Sequence, residues 1–136
     1  MVYVTRREVF SASHRLYNPA LSDEENENLF GKCSNPNGHG HNYTLEVVVA
    51  GEIDPLTGYV IDLSVLKKII KQHVIAKIDH KNLNLDVEFL KDKIPSSENI
   101  AMGIWDQLVD VIPKGRLYSV KLYETENNYV EYKGEK

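Results

Sequence analysis

The stretch that decides the fold of this chain is HGHNYTLEVVVAG, residues 39–51. Apolar side chains recur at every second position from Tyr43 onward, which is typical of a β-strand with one buried face. We therefore predict a strand from His41 to about Gly51. The side chains that share its buried face are His41, Tyr43, Leu45, Val47 and Val49.

The same stretch opens with two histidines, His39 and His41, separated only by Gly40. In an extended segment the two imidazoles lie on one face, a good geometry for two ligands of one metal ion. A third histidine, His14, ends an earlier strand-like run. Three imidazoles with one open position form a typical catalytic zinc site, and Zn²⁺ is the default metal for a non-redox site of this kind. The alternative is that they are polar surface or hydrogen-bonded loop histidines.

The remaining segments complete an α+β order of β-β-α-α-β-β. The predicted strands besides the one from His41 are Tyr3–Ser13, Leu117–Thr125 and Tyr129–Lys133. One helix begins near Asp62 or Ser64 and another at Ser96 or Ser97, because these residues can cap a helix. We expect a four-stranded antiparallel sheet with both helices on one face. Its two free edges favour a cyclic oligomer that pairs them into a closed barrel.

A long irregular stretch, about 15–38, separates the first two predicted strands. Its acidic run at 23–27 is interpreted as a solvated surface or a short helical turn. Loops of this length in compact proteins are usually functional or disordered.

Length, charge and cysteine content limit the class of protein. The chain has 136 residues, so we expect one domain, 1–136. A formal net charge of −4 argues against a nucleic-acid-binding or anionic-membrane-binding surface. The single cysteine cannot form an internal disulfide, which favours a cytoplasmic protein. No apolar run approaches the roughly 20 residues of a membrane span.

The single cysteine and an Asp-His pair are further candidates for chemistry. Cys33 is an inert buried thiol, a fourth metal ligand or a thiolate base, and its spacing from His39 does not decide among these. The pair Asp79-His80 follows the first helix, where a histidine is favoured by the helix dipole and a carboxylate can orient an imidazole. Because adjacent side chains rarely hydrogen-bond each other well, we expect these two to address different partners.

Polar residues in the second half of the chain are the last candidates. Glu124 continues the alternating row of Tyr118, Val120 and Leu122, so it is a solvated strand end or a buried anchor for a ligand with adjacent N–H donors. Ser96 and Ser97 are helix caps that could also help to bind a polar ligand.

Five motifs together resemble the 6-pyruvoyl tetrahydropterin synthase family. The most specific is CSNPNGHGHNY at 33–43. It is accompanied by FSASHRL at 10–16, DHKNL at 79–83, YETENN at 123–128 and YKGE at 132–135. The resemblance covers nearly the whole chain.

The resemblance implies the tunnelling fold, in which three subunits form a 12-stranded barrel and two trimers stack into a homohexamer. It also implies a lyase of tetrahydrobiopterin biosynthesis that converts 7,8-dihydroneopterin triphosphate to 6-pyruvoyl-tetrahydropterin and triphosphate. By the same resemblance His14, His39 and His41 match the ligands of Zn²⁺.

The resemblance also implies a role for each of the other candidate site residues. Cys33 matches the base that moves protons on the substrate side chain, and Asp79 and His80 match the residues that activate it from a neighbouring subunit. Glu124 matches the carboxylate that anchors the pterin. Ser96 and Ser97 fall where relatives often have threonines that help to hold the pterin.

The triphosphate requires cationic contacts that the motifs do not name. Arg15, Lys32 and Lys81 are candidates because they lie beside motif residues.

Three alternatives stay open. Within the resembling group, 6-carboxy-tetrahydropterin synthase shares the metal, the cysteine and the fold, but its usual cysteine lies closer to the histidine pair. A zinc hydrolase would need a motif such as His-Glu-x-x-His, which is not found. A non-catalytic zinc module should unfold when the metal is removed.

Overall fold

A five-stranded sheet forms the centre of the computed structural model, which describes residues 1–135. The strands are β1 (Val2–His14), β2 (His39–Gly51), β3 (Lys81–Asn82), β4 (Arg116–Thr125) and β5 (Asn128–Tyr132). Their order across the sheet is β3-β1-β2-β4-β5. The four long strands pair antiparallel, whereas β3 runs parallel to β1.

The predicted α+β class is confirmed, but the prediction of a purely antiparallel four-stranded sheet is wrong. Lys81 and Asn82 add a fifth strand at the edge by pairing with Ala12 and Ser13 of β1. A two-residue strand is too short to produce an alternating pattern, so only its tertiary pairing reveals it.

Four helices accompany the sheet: α1 (Asp23–Phe30), α2 (Leu63–Ile70), α3 (Ala76–Ile78) and α4 (Ser97–Leu108). A π-helical turn, Lys71–Ile75, joins α2 to α3 without a break, and short 3₁₀ turns occupy Gly31–Ser34 and Glu88–Leu90. The N-caps are Asp62 for α2 and Ser96 for α4. Each is one of the two residues predicted to cap its helix. The acidic run forms α1, which begins with a capping box between Ser22 and Glu25.

The core lies between one face of the sheet and the helical layer of α2, α3 and α4, and we call this sheet face the helix-covered face. The predicted row on β2 is confirmed, since Tyr43, Leu45, Val47 and Val49 are completely buried. Buried β1 side chains on the same face are Phe10, Ala12 and His14. Helix residues that complete the core include Leu66, Ile70, Val74, Ile78, Ile100, Ile104 and Leu108.

A β-bulge changes the predicted face of one tyrosine. The register between β2 and β4 shifts between Val48 and Val49, so Val49 pairs with Leu117. Leu117 is therefore buried, whereas Tyr118 packs its ring against Tyr3, 4.7 Å between centroids. The prediction that Tyr118 shares a face with Val120 is wrong, because a bulge breaks the period of two.

The opposite sheet face, called the open face below, carries polar and charged side chains. Arg7 and Glu46 form an ion pair across β1 and β2, and Ser11 Oγ donates a hydrogen bond to Asn42 Oδ1. Within residues 1–135, the helices are too short or too polar to cross a membrane.

Gly38, which precedes β2, offers a test of the connection into the histidine strand. Its φ is +70°, and an added Cβ would lie 2.9 Å from the His14 carbonyl oxygen. Gly58 is the matched control, because its φ is +80° and nothing lies within 4 Å of an added Cβ. Both alanine variants bear the left-handed strain of about 1–2 kcal/mol, but only Gly38→Ala adds a backbone clash.

We expect Gly38→Ala to lower the free energy of unfolding by about 1–3 kcal/mol more than Gly58→Ala, measured by urea denaturation. Equal losses in the two variants would contradict the close approach of Gly38 to His14.

Candidate metal centre and neighbouring groups

The register of β1 against β2 brings three histidines together. His14 pairs directly with His39, and Ala12 pairs with His41, so a small side chain stands opposite the second imidazole of β2. One ring nitrogen from each of the three histidines lies within 4.8 Å of the others. Nε2 of His14 and Nε2 of His39 are 3.2 Å apart. The predicted sharing of one face by His39 and His41 is thus realised at the end of the helix-covered face.

His14 is held in a tautomer suited to metal binding. Its Nδ1 lies 2.8 Å from the carbonyl oxygen of Pro95, which only accepts hydrogen bonds. Nδ1 therefore carries the hydrogen, and Nε2 turns its lone pair toward His39. Burial lowers the pKa of His14, with His39 nearby acting in the same direction. The ring consequently stays neutral and able to bind a cation.

His41 supplies a buried nitrogen that lacks a partner. Its Nε2 is shielded from solvent and makes no hydrogen bond with any group in residues 1–135. Glu124 Oε1 is 3.3 Å away, but that approach lacks hydrogen-bond geometry. An unsatisfied buried nitrogen is costly, and a metal ion would satisfy it. Three imidazoles are a donor set that suits zinc and other borderline metals, so these residues fit a metal site.

Tyr43 forms the floor of the cluster. Its fully buried ring lies edge-on to His14 and His41, with centroids 6.2 Å and 5.6 Å away. On its other side it stacks on Phe10 at 5.0 Å. Burial, reinforced by the Glu124 carboxylate, raises the pKa of Tyr43, so its hydroxyl stays protonated. The floor is therefore rigid and uncharged.

Glu124 lies at the end of β4, and its side chain is 32% exposed. This exposure is intermediate between the two predicted alternatives, a solvated strand end and a buried anchor. Its Oε2 accepts a hydrogen bond of 2.9 Å from Ser97 Oγ, while Oε1 faces His41. Ser96 behaves differently, because its hydroxyl accepts from the Asn99 amide and caps α4. Both serines were predicted to be helix caps and possible ligand contacts. In the structure Ser96 caps α4, whereas Ser97 contacts Glu124.

Cys33 lies in the 3₁₀ turn Gly31–Ser34 and is half-buried. Its carbonyl accepts a 2.7 Å hydrogen bond from the amide of Leu16, two residues beyond His14. Among residues 1–135, the group of mutually close ligand atoms contains the three histidines but not the Cys33 sulfur. This arrangement argues against Cys33 as a fourth ligand in this conformation.

Asp79 and His80 follow α3 at the outer edge of β1. Asp79 Oδ1 accepts a 3.0 Å hydrogen bond from the Ser11 amide and lies 3.0 Å from His80 Nδ1. The Ser11 hydrogen bond, and then His80, hold the pKa of Asp79 below its usual range. Asp79 therefore contacts both the Ser11 amide and the neighbouring His80, and the different roles expected of the pair stay a prediction.

An unusual backbone conformation makes that contact possible. His80 has a φ of +61°, rare for a residue with a side chain, and its amide donates to the Ser11 carbonyl at 2.6 Å. The turn leaves the His80 side chain 81% exposed. No sequence signal marks Ser11 or the Pro95 carbonyl, because both act through backbone groups.

The fold and the cluster define an α+β protein with three histidines at one end of its sheet that could hold a metal ion. A family model described as 6-pyruvoyl tetrahydropterin synthase matches residues 3–135. The chain belongs to this family, and it is a lyase of tetrahydrobiopterin synthesis.

Named relatives agree with the family match. The 6-pyruvoyl tetrahydrobiopterin synthase of Pongo abelii is 60% identical over 132 residues, which cover 97% of this chain and 91% of the relative. The Homo sapiens protein of the same name is 58% identical with the same coverage. The solved structure of Caenorhabditis elegans 6-pyruvoyl tetrahydropterin synthase superposes with a TM-score of 0.93 at 46% identity, covering 98% of this chain and 96% of that one.

The buried, neutral state of His14 predicts how the stability of the metal-free protein depends on pH. Because the folded-state pKa lies below the ordinary 6.5, the unfolded chain binds a proton first as the pH falls. We expect the free energy of unfolding to decrease below about pH 6.5, by at most about 1.4 kcal/mol per pH unit from this group.

The comparison is urea denaturation of wild type and His14→Gln in the presence of a chelator. The variant should show a flatter decline between pH 7 and pH 5. Parallel curves would contradict a neutral His14 in the folded state.

Proposed function

We propose that this chain is a zinc-dependent 6-pyruvoyl tetrahydropterin synthase acting on 7,8-dihydroneopterin triphosphate. The products are 6-pyruvoyl-tetrahydropterin and triphosphate. The observation that carries the proposal is the cluster of His14, His39 and His41, with an unpartnered His41 Nε2 beside Glu124. A metal centre next to a carboxylate suits a substrate with side-chain hydroxyls and a ring bearing N–H donors.

The three histidines would hold Zn²⁺ through one ring nitrogen each. When bound, zinc supplies Lewis-acid polarisation of the side-chain oxygens of the substrate. The protein contributes a fixed His14 tautomer through Pro95 and an uncharged floor through Tyr43. These groups would keep the cluster in place while substrate enters and product leaves.

Glu124 would bind the pterin ring. A carboxylate can accept two hydrogen bonds from adjacent N–H groups, which fixes the ring in its plane. Ser97 already donates to Oε2 and thereby orients the carboxylate. We propose Ser97 as a positioning residue for Glu124 and Ser96 as a helix cap that contributes to binding only through α4.

Cys33 would act as the base that removes and returns protons on the substrate side chain. The reaction oxidises the side chain and reduces the dihydropterin ring to the tetrahydro level, so hydrogen moves from the side chain to the ring while triphosphate leaves. These proton transfers need one group that repeatedly accepts and donates a proton. Asp79 and His80 would activate the thiol, with Asp79 orienting His80 as it does in the Asp79–His80 contact.

The exposed His80 supports a site shared between subunits. The imidazole lies at the β1 edge and is available to a neighbouring chain, since its side chain is 81% exposed. We propose that three chains pair their sheet edges into a 12-stranded barrel and that two such trimers form a homohexamer. Each chain would be one tunnelling-fold domain, 1–136, and the single cysteine favours a cytoplasmic location.

The central test is turnover by wild type and by Cys33→Ala. Wild-type protein should release triphosphate from 7,8-dihydroneopterin triphosphate, whereas Cys33→Ala should bind zinc normally and lose at least about 100-fold in kcat, the usual contribution of a general base. Triphosphate release and bound metal are the two measurements.

Two outcomes would overturn parts of this assignment. Absence of wild-type turnover would reject the function, and zinc loss from Cys33→Ala would make the cysteine a ligand. Chelation provides the control, because a catalytic site predicts lost turnover with an unchanged circular dichroism spectrum.

The two serines provide a matched pair. Ser97→Ala removes the donor to Glu124, so KM for the pterin should rise about 5- to 10-fold, which corresponds to the roughly 1 kcal/mol of one typical hydrogen bond. Ser96→Ala removes the α4 cap, so it should cost about 1 kcal/mol of stability with little change in KM. Steady-state kinetics and thermal denaturation distinguish the two effects, and an unchanged KM in Ser97→Ala would contradict its positioning role.

A further inference from the structure

A cleft of about 580 Å³ lies between β1, β2 and β3 beside the metal centre. Its floor is formed by open-face residues of β1 and β2, including Ser11, Ser13 and Asn42, and its wall by Lys81 and Asn82. His41 borders the cleft as well as belonging to the histidine cluster. A substrate held at the cluster therefore has this space within reach.

In the side chains that line the cleft, existing hydrogen bonds occupy acceptor atoms and leave mainly donor groups free. Asn42 Oδ1 accepts from Ser11 Oγ, and Asn82 Oδ1 accepts from the Asn84 amide, so each amide group turns its NH₂ to the cleft or solvent. Asp86, the one carboxylate in the lining, accepts from the Asn82 amide through Oδ2. A surface that offers unpaired N–H donors suits an anion.

Lys81 adds the positive charge. Within residues 1–135, its ammonium group takes part in none of the salt bridges, and the residue is exposed at the cleft wall. A lysine at the wall of a cleft can bind phosphate groups as a point charge.

The other cationic cleft is less suited to a polyanion. It measures about 690 Å³ and is lined by Arg15 and Lys32, but also by Asp23 and Glu27. Arg15 is already engaged, because its Nε donates to the Ser34 carbonyl at 2.7 Å and its guanidinium lies 4.0 Å from the Tyr17 ring centroid. The Arg15 guanidinium is therefore engaged by groups of the connecting segment between β1 and β2.

We propose that the cleft between β1 and β3 is a polyphosphate subsite in which Lys81 Nζ binds the phosphate chain of the substrate. This inference rests on the proposed function, because that reaction supplies a triphosphate as substrate group and product. Among Arg15, Lys32 and Lys81, only Lys81 has an unengaged charge in a cleft that borders the histidine cluster.

The test is binding of inorganic triphosphate to the purified zinc-loaded protein by isothermal titration calorimetry. Lys81→Gln should weaken triphosphate binding about tenfold, and Lys81→Arg should restore most of it because the charge is retained. Lys114→Gln is the matched control, because it removes the same charge at an exposed position outside both clefts and should bind as wild type does. Lys32→Gln tests the other cleft. In turnover assays, Lys81→Gln should raise KM by a similar factor while the KM of Lys114→Gln is unchanged.

The results separate this inference from the proposed function. If wild type turns over the pterin triphosphate while Lys81→Gln matches it in triphosphate affinity and KM, the subsite is wrong and the function stands. If wild type binds inorganic triphosphate through Lys81 but shows no turnover, the function is wrong and the anion site stands. A larger loss in Lys32→Gln than in Lys81→Gln would place the phosphates in the other cleft and overturn the proposal.

Discussion

The pairing of β1 with β2 runs without a break from Val2 opposite Gly51 to His14 opposite His39. This long antiparallel ladder sets which side chains face the helices and where the third histidine lies relative to the other two. A slip of one residue would turn Phe10, Tyr43 and the histidines to the opposite face, so the core and the histidine cluster depend on the same register. Burial of that core stabilises the register that the site requires.

The two faces of the sheet present chemically different groups to the site. The helix-covered face presents neutral groups, namely His14 and the Tyr43 floor, in a region from which water is largely excluded. The charged and donor groups at Asp79, His80 and Lys81 lie at the β1 edge and beside the open face. The neutral His14 imidazole can bind a cation, whereas the solvated edge with Lys81 suits an anion, so the two sides of the proposed site differ in their electrostatic character.

Small supporting contacts fix the groups that we propose to act on the substrate. The Pro95 carbonyl sets the His14 tautomer, Ser97 orients Glu124, and the Ser11 amide holds Asp79. Two of these three supports are backbone groups at the ends or edges of regular elements. They connect α4 and the α3 terminus to the sheet, so helix packing is transmitted directly to the geometry of the site.

The four long strands, the approximate starts of α2 and α4, and the shared face of His39 and His41 could be predicted from the sequence, because they follow from local periodicity and local capping preferences. The three-dimensional fold was needed to reveal the short strand β3, the bulge that redirects Tyr118, the choice of Asp62 and Ser96 as caps, and the separate contacts of Ser96 and Ser97. It also decided which lysine borders the histidine cluster. These features arise from contacts between residues far apart in the chain, and no local pattern encodes which distant backbone group a side chain will meet.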